Sequence, residues 1–591
     1  MAVETPASDL DNHDKLAEIG ADWSYDSNEA TTLKFWRVSE QGGQLQCDHS
    51  FHPSYTYPIF GEEETIFGYQ GLHIDINFAL HDLRCNVDIR FKNIFEPVGD
   101  IEAFDIPTAL RPFVPSSALE TDHKEFAASL DSDSTAGTFV PPGKIIHSYT
   151  VDGEEYEIWC STLRDPRARD IVANAQVLMP FFIEGATTLE LDGTERNVLE
   201  RWKLYLLYKV LPFAKPEDNE TSIKETASRY SIAGYSTSFR LWYLSENRTK
   251  PKLFTPDYKF PDNNLEDSIS SSLPTPETSP YHPTSEATNP DDPLFNEMHE
   301  IDYPVRERIS QFLILPPFRG SSHGFHLYTA MISLFLRDPT CTTITVEDPN
   351  EAFDDLRDTS DLARLRNNAA NLSLVSSPSL TSSFLSLKID PNRARKIVSS
   401  FPQKHRDRVP IPAIIDKPLR DRVHAESKIQ HRQFDRCLEM HLLSSIPVAH
   451  RSKNRIAYKH NSPQAADKEY YFWRCLVKER LRVHNKDSLA DLEEDEREEK
   501  LEEAVTNVQQ DFERLLEAVK RREERAKEVG VGVGDEVEAG SGEGERKRKL
   551  RRVVDDEDED GDGDEGVPVG ANGEQVGKDV KEPEAKKVKL S

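Results

Sequence analysis

The sequence contains no run of 18 or more apolar residues, and its opening, MAVETPASDLDNHDK, has neither a basic segment nor an apolar one. No membrane span and no secretory leader are expected, so the chain reads as soluble and intracellular, without a membrane partner. Cysteine is scarce: six residues, at 47, 85, 160, 341, 437 and 475, none of them in a CxxC pair. Thiols so widely spaced fit reduced core positions better than a disulfide frame or a zinc site, and no metal is expected. Positive charge is also short, with 73 Lys and Arg against 105 Asp and Glu and a net charge of -32. A phosphate backbone is gripped by a basic surface, so direct nucleic-acid binding is not expected, and a basic protein partner fits the charge better.

What remains is a chain of 591 residues, long enough for two to four domains and a sizeable core. Residues up to about Ala30 are polar and are expected to be loose. Beyond them LKFWRV and IFGYQGLHIDINFALHDLRCNVDIRF alternate with period two, Leu72, Ile74 and Ile76 on one side and His73, Asp75 and Asn77 on the other. That pattern predicts a β-rich N-terminal α/β domain over 31–160. A second domain is expected over 161–365: RARDIVANAQVLMPFFIEGA has helical spacing, and RWKLYLLYKV and SIAGYSTSFRLWYL read as an antiparallel pair. It is interrupted by a Pro-, Ser- and acid-rich stretch, 246–302, whose few apolar residues cannot offset the entropy of ordering it. A helical domain is expected over 391–529, ending in a seam of Leu501, Val505, Val508, Phe512, Leu515 and Val519 at heptad spacing. Docking on its own domain and an intermolecular coiled coil are both open for that helix. The tail, 530–591, is acidic and expected to be disordered, with basic clusters RKRKLRR and KKVK that read as nuclear-import signals or as a solvated tail.

Chemistry concentrates between residues 310 and 350. Pro316 and Pro317 end an apolar strand, because they cannot donate ladder hydrogen bonds, and so the sheet should open there. Arg319, Gly320, Ser321, Ser322, His323 and Gly324 then lead into a helix whose first amides lack internal partners. Free amides at the positive end of a helix dipole suit a phosphate or pyrophosphate. The loop is neither a P-loop, since no Gly-Lys-Ser/Thr follows, nor the dinucleotide fingerprint, since its glycine spacing differs. The next element, TTITVEDPNEAF, is a β-branched strand ending in Glu347. Asp348 is expected as the N-cap of the following helix and Pro349 as its first residue. Preceded by Ile344 and Val346, Glu347 is expected to be partly desolvated, which raises a carboxylate pKa toward useful base strength.

The stretches RISQFLILPPFRGSSHGFHLYTA and ITVEDPNEAFDDLRD, with EEETIFGYQGLHI upstream and AGYSTSFRLWYL before the insertion, resemble the catalytic subunit of type B histone acetyltransferase, within the GNAT superfamily of N-acetyltransferases. The resemblance covers roughly residues 51–358 discontinuously and implies an α+β chain built around a GNAT-type central domain. It implies acetyl-CoA as donor, with Phe312, Leu313 and Ile314 along the pantetheine arm and Arg319 through Phe325 around the pyrophosphate. Asn350 corresponds to a further donor contact and Glu347 to the general base, with Asp348 as runner-up. One residue departs from the superfamily loop, since Ser322 stands where a glycine is usual and a serine disfavours positive φ.

The resemblance also implies a basic acceptor. Glu62, Glu63 and Glu64 correspond to one contact with a histone tail, and Phe239, Arg240 and Leu241 to another. Three carboxylates beside a cleft would raise the encounter rate of a Lys- and Arg-rich peptide. The implied substrates are free core histones, chiefly the tail of newly made histone H4, with H2A a further candidate. The implied partner is a WD-repeat histone-binding subunit, and the implied location is cytoplasm and nucleus. A same-fold transferase with another amine acceptor and a non-enzymatic histone escort remain as alternatives.

Overall fold

The structure, a computed structural model, describes residues 23–38, 45–99, 101–191, 194, 196–211, 227–242, 304–366, 378–400, 414–455 and 462–531. The expected insertion at 246–302 and, beyond residue 531, the expected tail lie outside them.

WKLYLLYKV carries apolar or aromatic residues on both faces, as a strand covered on both sides requires, and Leu204 to Tyr208 are all buried. This strand is central to a six-stranded sheet. In chain order the relevant strands are β1 (Thr31–Val38), β2 (Leu45–Phe51), β3 (His73–Ala79), β4 (Cys85–Arg90), β5 (Lys144–Val151), β6 (Glu154–Thr162), β7 (Trp202–Val210), β8 (Tyr230–Trp242), β9 (Val305–Ile314) and β10 (Cys341–Val346). The large sheet runs β10-β9-β8-β7-β6-β5, antiparallel throughout except for the parallel pair β9 and β10. The expected antiparallel pairing of β7 with β8 is present. A smaller sheet runs β2-β1-β3-β4.

The N-terminal part departs from expectation at its start and at its end. Residues 23–30 are held in place: Ser24–Asp26 pairs with Thr65–Phe67, and the buried Ser27 hydroxyl donates to the Glu64 carbonyl at 2.7 Å. On the polar side of β3, His73 is exposed but Asp75 and Asn77 are buried, because Asp75 is paired with Lys34 and Arg90, and Asn77 accepts from Trp36 and donates to Asn86. A boundary at 160/161 falls inside β6, and β5 with β6 belongs to the large sheet. Both sheets line one continuous core, from Ala30 to Ile344.

Helices complete the molecule: α1 (Pro166–Ala175), α2 (His323–Arg337), α3 (Glu351–Leu365), α4 (His431–Ser445), α5 (Ala465–His484) and α6 (Glu494–Val531). A second core, from Leu362 to Val519, holds the C-terminal helices together. Helix α3 joins the two, with Phe353 and Leu356 against the first core and Leu362 and Leu365 in the second. The α6 seam is satisfied inside this chain: Leu501, Val505, Phe512, Leu515 and Val519 are buried in the second core, so the intermolecular reading is not supported. Arg474 and Lys478 of α5 hold Glu502 of α6 at 2.7 and 2.5 Å; burial alone would raise that carboxyl, but these cations hold it down to about 2. The outer edge of β10 is also covered from this region. The Ile344 amide donates to the Lys428 carbonyl at 2.8 Å, and Ile429 bridges Ile344 in parallel.

Candidate active site

Strand β9 runs longer than its partner. Its pairing with β10 proceeds from Val305↔Cys341 to Ile309↔Val346 and closes with the Glu347 amide donating to the Ile309 carbonyl at 2.9 Å. From Ser310 to Ile314 it keeps β8 on one side and has no described strand on the other. A bulge marks the point of departure: Thr237 and Ser238 of β8 face Gln311 and Ile309, which leaves Ser310 as the extra residue. The sheet therefore opens at Ser310, ahead of the double proline at Pro316 and Pro317. The prolines instead form a short 3-10 turn, Pro316–Phe318. The gap is roofed by helices, with the Phe312 ring 4.9 Å from that of Phe353 and Ile314 against Gly324. Gly234 lies opposite Ile314, where a Cβ would come within 2.6 Å of the Leu313 carbonyl oxygen, so only glycine lets β8 close on this stretch.

At the end of that open edge the chain turns through Arg319 to Ser322 and enters α2 at His323. The amides of Gly320 to Phe325 find no backbone acceptor among the described residues. Gly320 has φ 79° and Ser322 φ 64°, so the serine takes the left-handed conformation that glycine would adopt without strain. The His323 ring turns inward: its Nδ1 is hydrogen-bonded to the Tyr149 hydroxyl at 2.8 Å, and burial drops its pKa to about 4. Beside it His326 stacks on Tyr149 with ring centroids 3.7 Å apart. At this loop His323 thus offers its backbone. Arg319 extends outward, its Nε donating to the Ile314 carbonyl. Arg522 of α6 lies over the Phe325 ring at 4.3 Å, so the C-terminal helix reaches the start of α2.

Glu347 stands at the mouth of the gap. Its Oε2 accepts from the Ser310 hydroxyl at 2.6 Å and its Oε1 lies 3.2 Å from an Arg308 guanidinium nitrogen. The side chain is partly buried, as expected, and 37% exposed, its position beyond the last ladder bond leaving it at the rim. Asp348 is not the N-cap. That role belongs to Asn350, whose side chain accepts from the Phe353 amide at 2.9 Å, while the exposed Asp348 sits at φ 34° in a left-handed turn.

The residues expected to contact a basic acceptor divide. Phe239 is the register partner of Arg308 and shares its face of the sheet; its ring packs tilted against Trp202, centroids 4.6 Å apart. Leu241 lies on the same face by alternation. Arg240 points the other way, into the interior against Glu307 and Asp338, and cannot touch a peptide. Glu62 and Glu63 are exposed. Glu64 is occupied: its carboxylate accepts from the Thr56 and Tyr57 amides at 2.5 and 3.0 Å, capping the short helix Tyr57–Phe60.

A family model described as histone acetyl transferase HAT1 N-terminus matches residues 23–184. The chain is 37% identical to the histone acetyltransferase type B catalytic subunit of Aspergillus fumigatus, over 86% of this chain and 80% of that one. It is 37% identical to the Aspergillus oryzae protein of the same description, over 85% and 87%. Similarity extends to the Candida albicans protein at 26% over 84% and 90%. The chain belongs to the type B histone acetyltransferase catalytic subunits. It is an acyltransferase that uses acetyl-CoA.

For a type B histone acetyltransferase the geometry fits that donor. An open strand edge offers peptide groups to an amide-bearing arm, and the unpaired amides at the start of α2 offer donors to phosphate oxygens. Among the described residues no group of three His, Cys, Asp or Glu could hold a metal, and no helix is long and apolar enough to cross a membrane. Sequence reasoning missed Ser310, Arg308, Gly234, Trp202 and Arg522. A polar Ser310 just ahead of the apolar run FLIL was a visible signal; Trp202 and Arg522 become neighbours of the site only through strand register and helix docking.

Proposed function

We propose that this acyltransferase is of GNAT type and moves acetyl from acetyl-CoA to tail lysines of free, newly made histone, chiefly histone H4 and also H2A. Glu347 acts as general base within a ternary complex. Its carboxylate takes a proton from the lysine ammonium, which near pKa ~10.4 needs that help at neutral pH. The neutral nitrogen attacks the thioester carbonyl, the C–N bond forms, the C–S bond breaks, and the departing thiolate takes up a proton. Phe312 to Ile314 align the donor arm, the loop from Arg319 to Phe325 receives the pyrophosphate, and Asn350 lies at the near end of α3. Phe239 and Leu241, with Glu62 and Glu63, receive the basic tail. The WD-repeat histone-binding subunit and a distribution between cytoplasm and nucleus belong to the same reading.

The observation that carries it is the carboxylate of Glu347 at the rim of the β9/β10 opening, on the strand next to the amide-lined loop. The test is incorporation of labelled acetyl from acetyl-CoA into free core histones, wild type against Glu347→Gln. Loss of incorporation in the variant is expected. Equal incorporation by both would remove Glu347 as base, and none by the wild type would remove the histone acceptor.

A further inference from the structure

Both oxygens of Glu347 are taken. Oε2 holds the Ser310 hydroxyl at 2.6 Å and Oε1 lies 3.2 Å from Arg308. A base that is to receive a proton from an ammonium must present a lone pair to it; each oxygen keeps a second one, but a cation approaching Oε1 meets a like charge there, and the two ties differ in how readily they give way. Ser310 is the bulge residue of β9, with a short side chain on backbone fixed by β8, and it cannot leave without moving the strand. Arg308 is long, its side chain is 36% exposed, and it reaches Glu347 through a terminal nitrogen while its Nε is buried without a partner. A partly exposed, one-point ion pair is weakly held. A second cation brought to Oε1 replaces it like for like.

Resting on Glu347 as base, we propose that Arg308 occupies the acceptor position in the resting enzyme and is displaced by the incoming lysine ammonium, while Ser310 fixes Oε2 so that Oε1 receives the proton. Arg308 is thereby a specificity residue and Ser310 a positioning residue. A neutral hydroxyl or amide acceptor brings no charge to replace the guanidinium, so the arrangement selects primary ammonium groups on flexible stems. Phe239, directly opposite Arg308 and packed against Trp202, supplies an aromatic face beside the exchange; a guanidinium, that of Arg201, already lies 4.4 Å over it.

The test is equilibrium binding of a synthetic basic peptide with a single lysine to the full chain in the presence of CoA, followed by fluorescence anisotropy. Arg308→Gln is expected to tighten peptide binding about fivefold by removing the competitor, and Arg308→Lys, which keeps a cation, to bind like the wild type. Peptide binding by Arg308→Gln no tighter than wild type overturns the displacement. For Ser310, Ser310→Ala is expected to lower kcat about tenfold with a much smaller change in peptide affinity, and Ser310→Thr to recover most of it. An unchanged kcat in Ser310→Ala, or no recovery in Ser310→Thr, overturns the positioning role. Glu347→Gln in the same assays separates the two levels: if it turns over like wild type, the base assignment fails; if it is inactive and Arg308→Gln binds no tighter, the displacement alone fails.

Discussion

Arg240 and Glu307 are register partners on β8 and β9 whose side chains meet in the interior, the guanidinium Nε 2.7 Å from the carboxylate. Asp338 closes on the same guanidinium, and Lys203 approaches Glu307 at 3.2 Å. Burial alone would lower the Arg240 pKa, but Glu307 and Asp338 carry it above its ordinary value. Arg240→Met is therefore expected to destabilise by about 3–5 kcal/mol, as removal of one partner of a buried charge set does. A urea midpoint checks this. Unchanged stability with a raised KM for peptide would return Arg240 to the tail contact.

Acid should loosen the Tyr149 stack. Burial, with His147, His323 and Arg522 adding to it, lowers His326 to about 3, against an ordinary value of 6.5. Between those values the unfolded chain binds a proton that the folded chain refuses. The stability from keeping this ring neutral is complete above pH 6.5 and declines as pH falls toward 3. At pH 5 the loss from His326 is roughly 2 kcal/mol. Thermal midpoints from pH 7.5 to 5 should fall less steeply in His326→Phe; parallel profiles would contradict the account.

Ser322 tests how the loop tolerates its left-handed residue. Relieving that strain gains about 1–2 kcal/mol, and the added backbone freedom of glycine returns roughly 0.5–1 kcal/mol. Ser322→Gly is expected to be slightly stabilising with donor affinity kept or improved, whereas Ser322→Val, β-branched at positive φ, should weaken CoA binding by calorimetry. Equal affinity in Ser322→Val would mean the loop amides do not set donor binding.

The three glutamates should behave differently from one another. Glu62→Ala with Glu63→Ala should raise the peptide KM and leave the donor constant near its starting value. Glu64→Ala removes a helix cap and should cost about 1 kcal/mol of stability. A peptide effect from Glu64→Ala as large as from the pair would show that its cap does not occupy it.

Much of the donor side was legible in the sequence because strand, turn and helix follow one another within some forty residues. Helix α2, strand β10 and the β7/β8 pair lie where periodicity put them. The acceptor side was not legible in the same way. Whether Arg240 faces a peptide or Glu307 depends on which side of β8 is covered, and that is fixed by a partner strand from across the insertion. Asp348 was misassigned as a cap because Pro349 suits a first helical position, yet the chain makes a left-handed turn first and Asn350 takes the role. The α6 seam reads equally as coiled coil or docked helix until its neighbours α4 and α5 are known.

The bridge from Ile429 to Ile344 bears on how the protein can be divided. With Lys428 and Ile429 bridging it at Ile344, the outer edge of β10 is capped at its middle against a stray strand, and the Lys428 ammonium also holds the Asp338 carbonyl at 2.9 Å. A fragment ending after α3 would keep every residue assigned to catalysis, yet expose an unpaired, β-branched edge of the kind that recruits other chains. Self-association of such a fragment, cured by adding back residues 414–445, is the behaviour this edge implies.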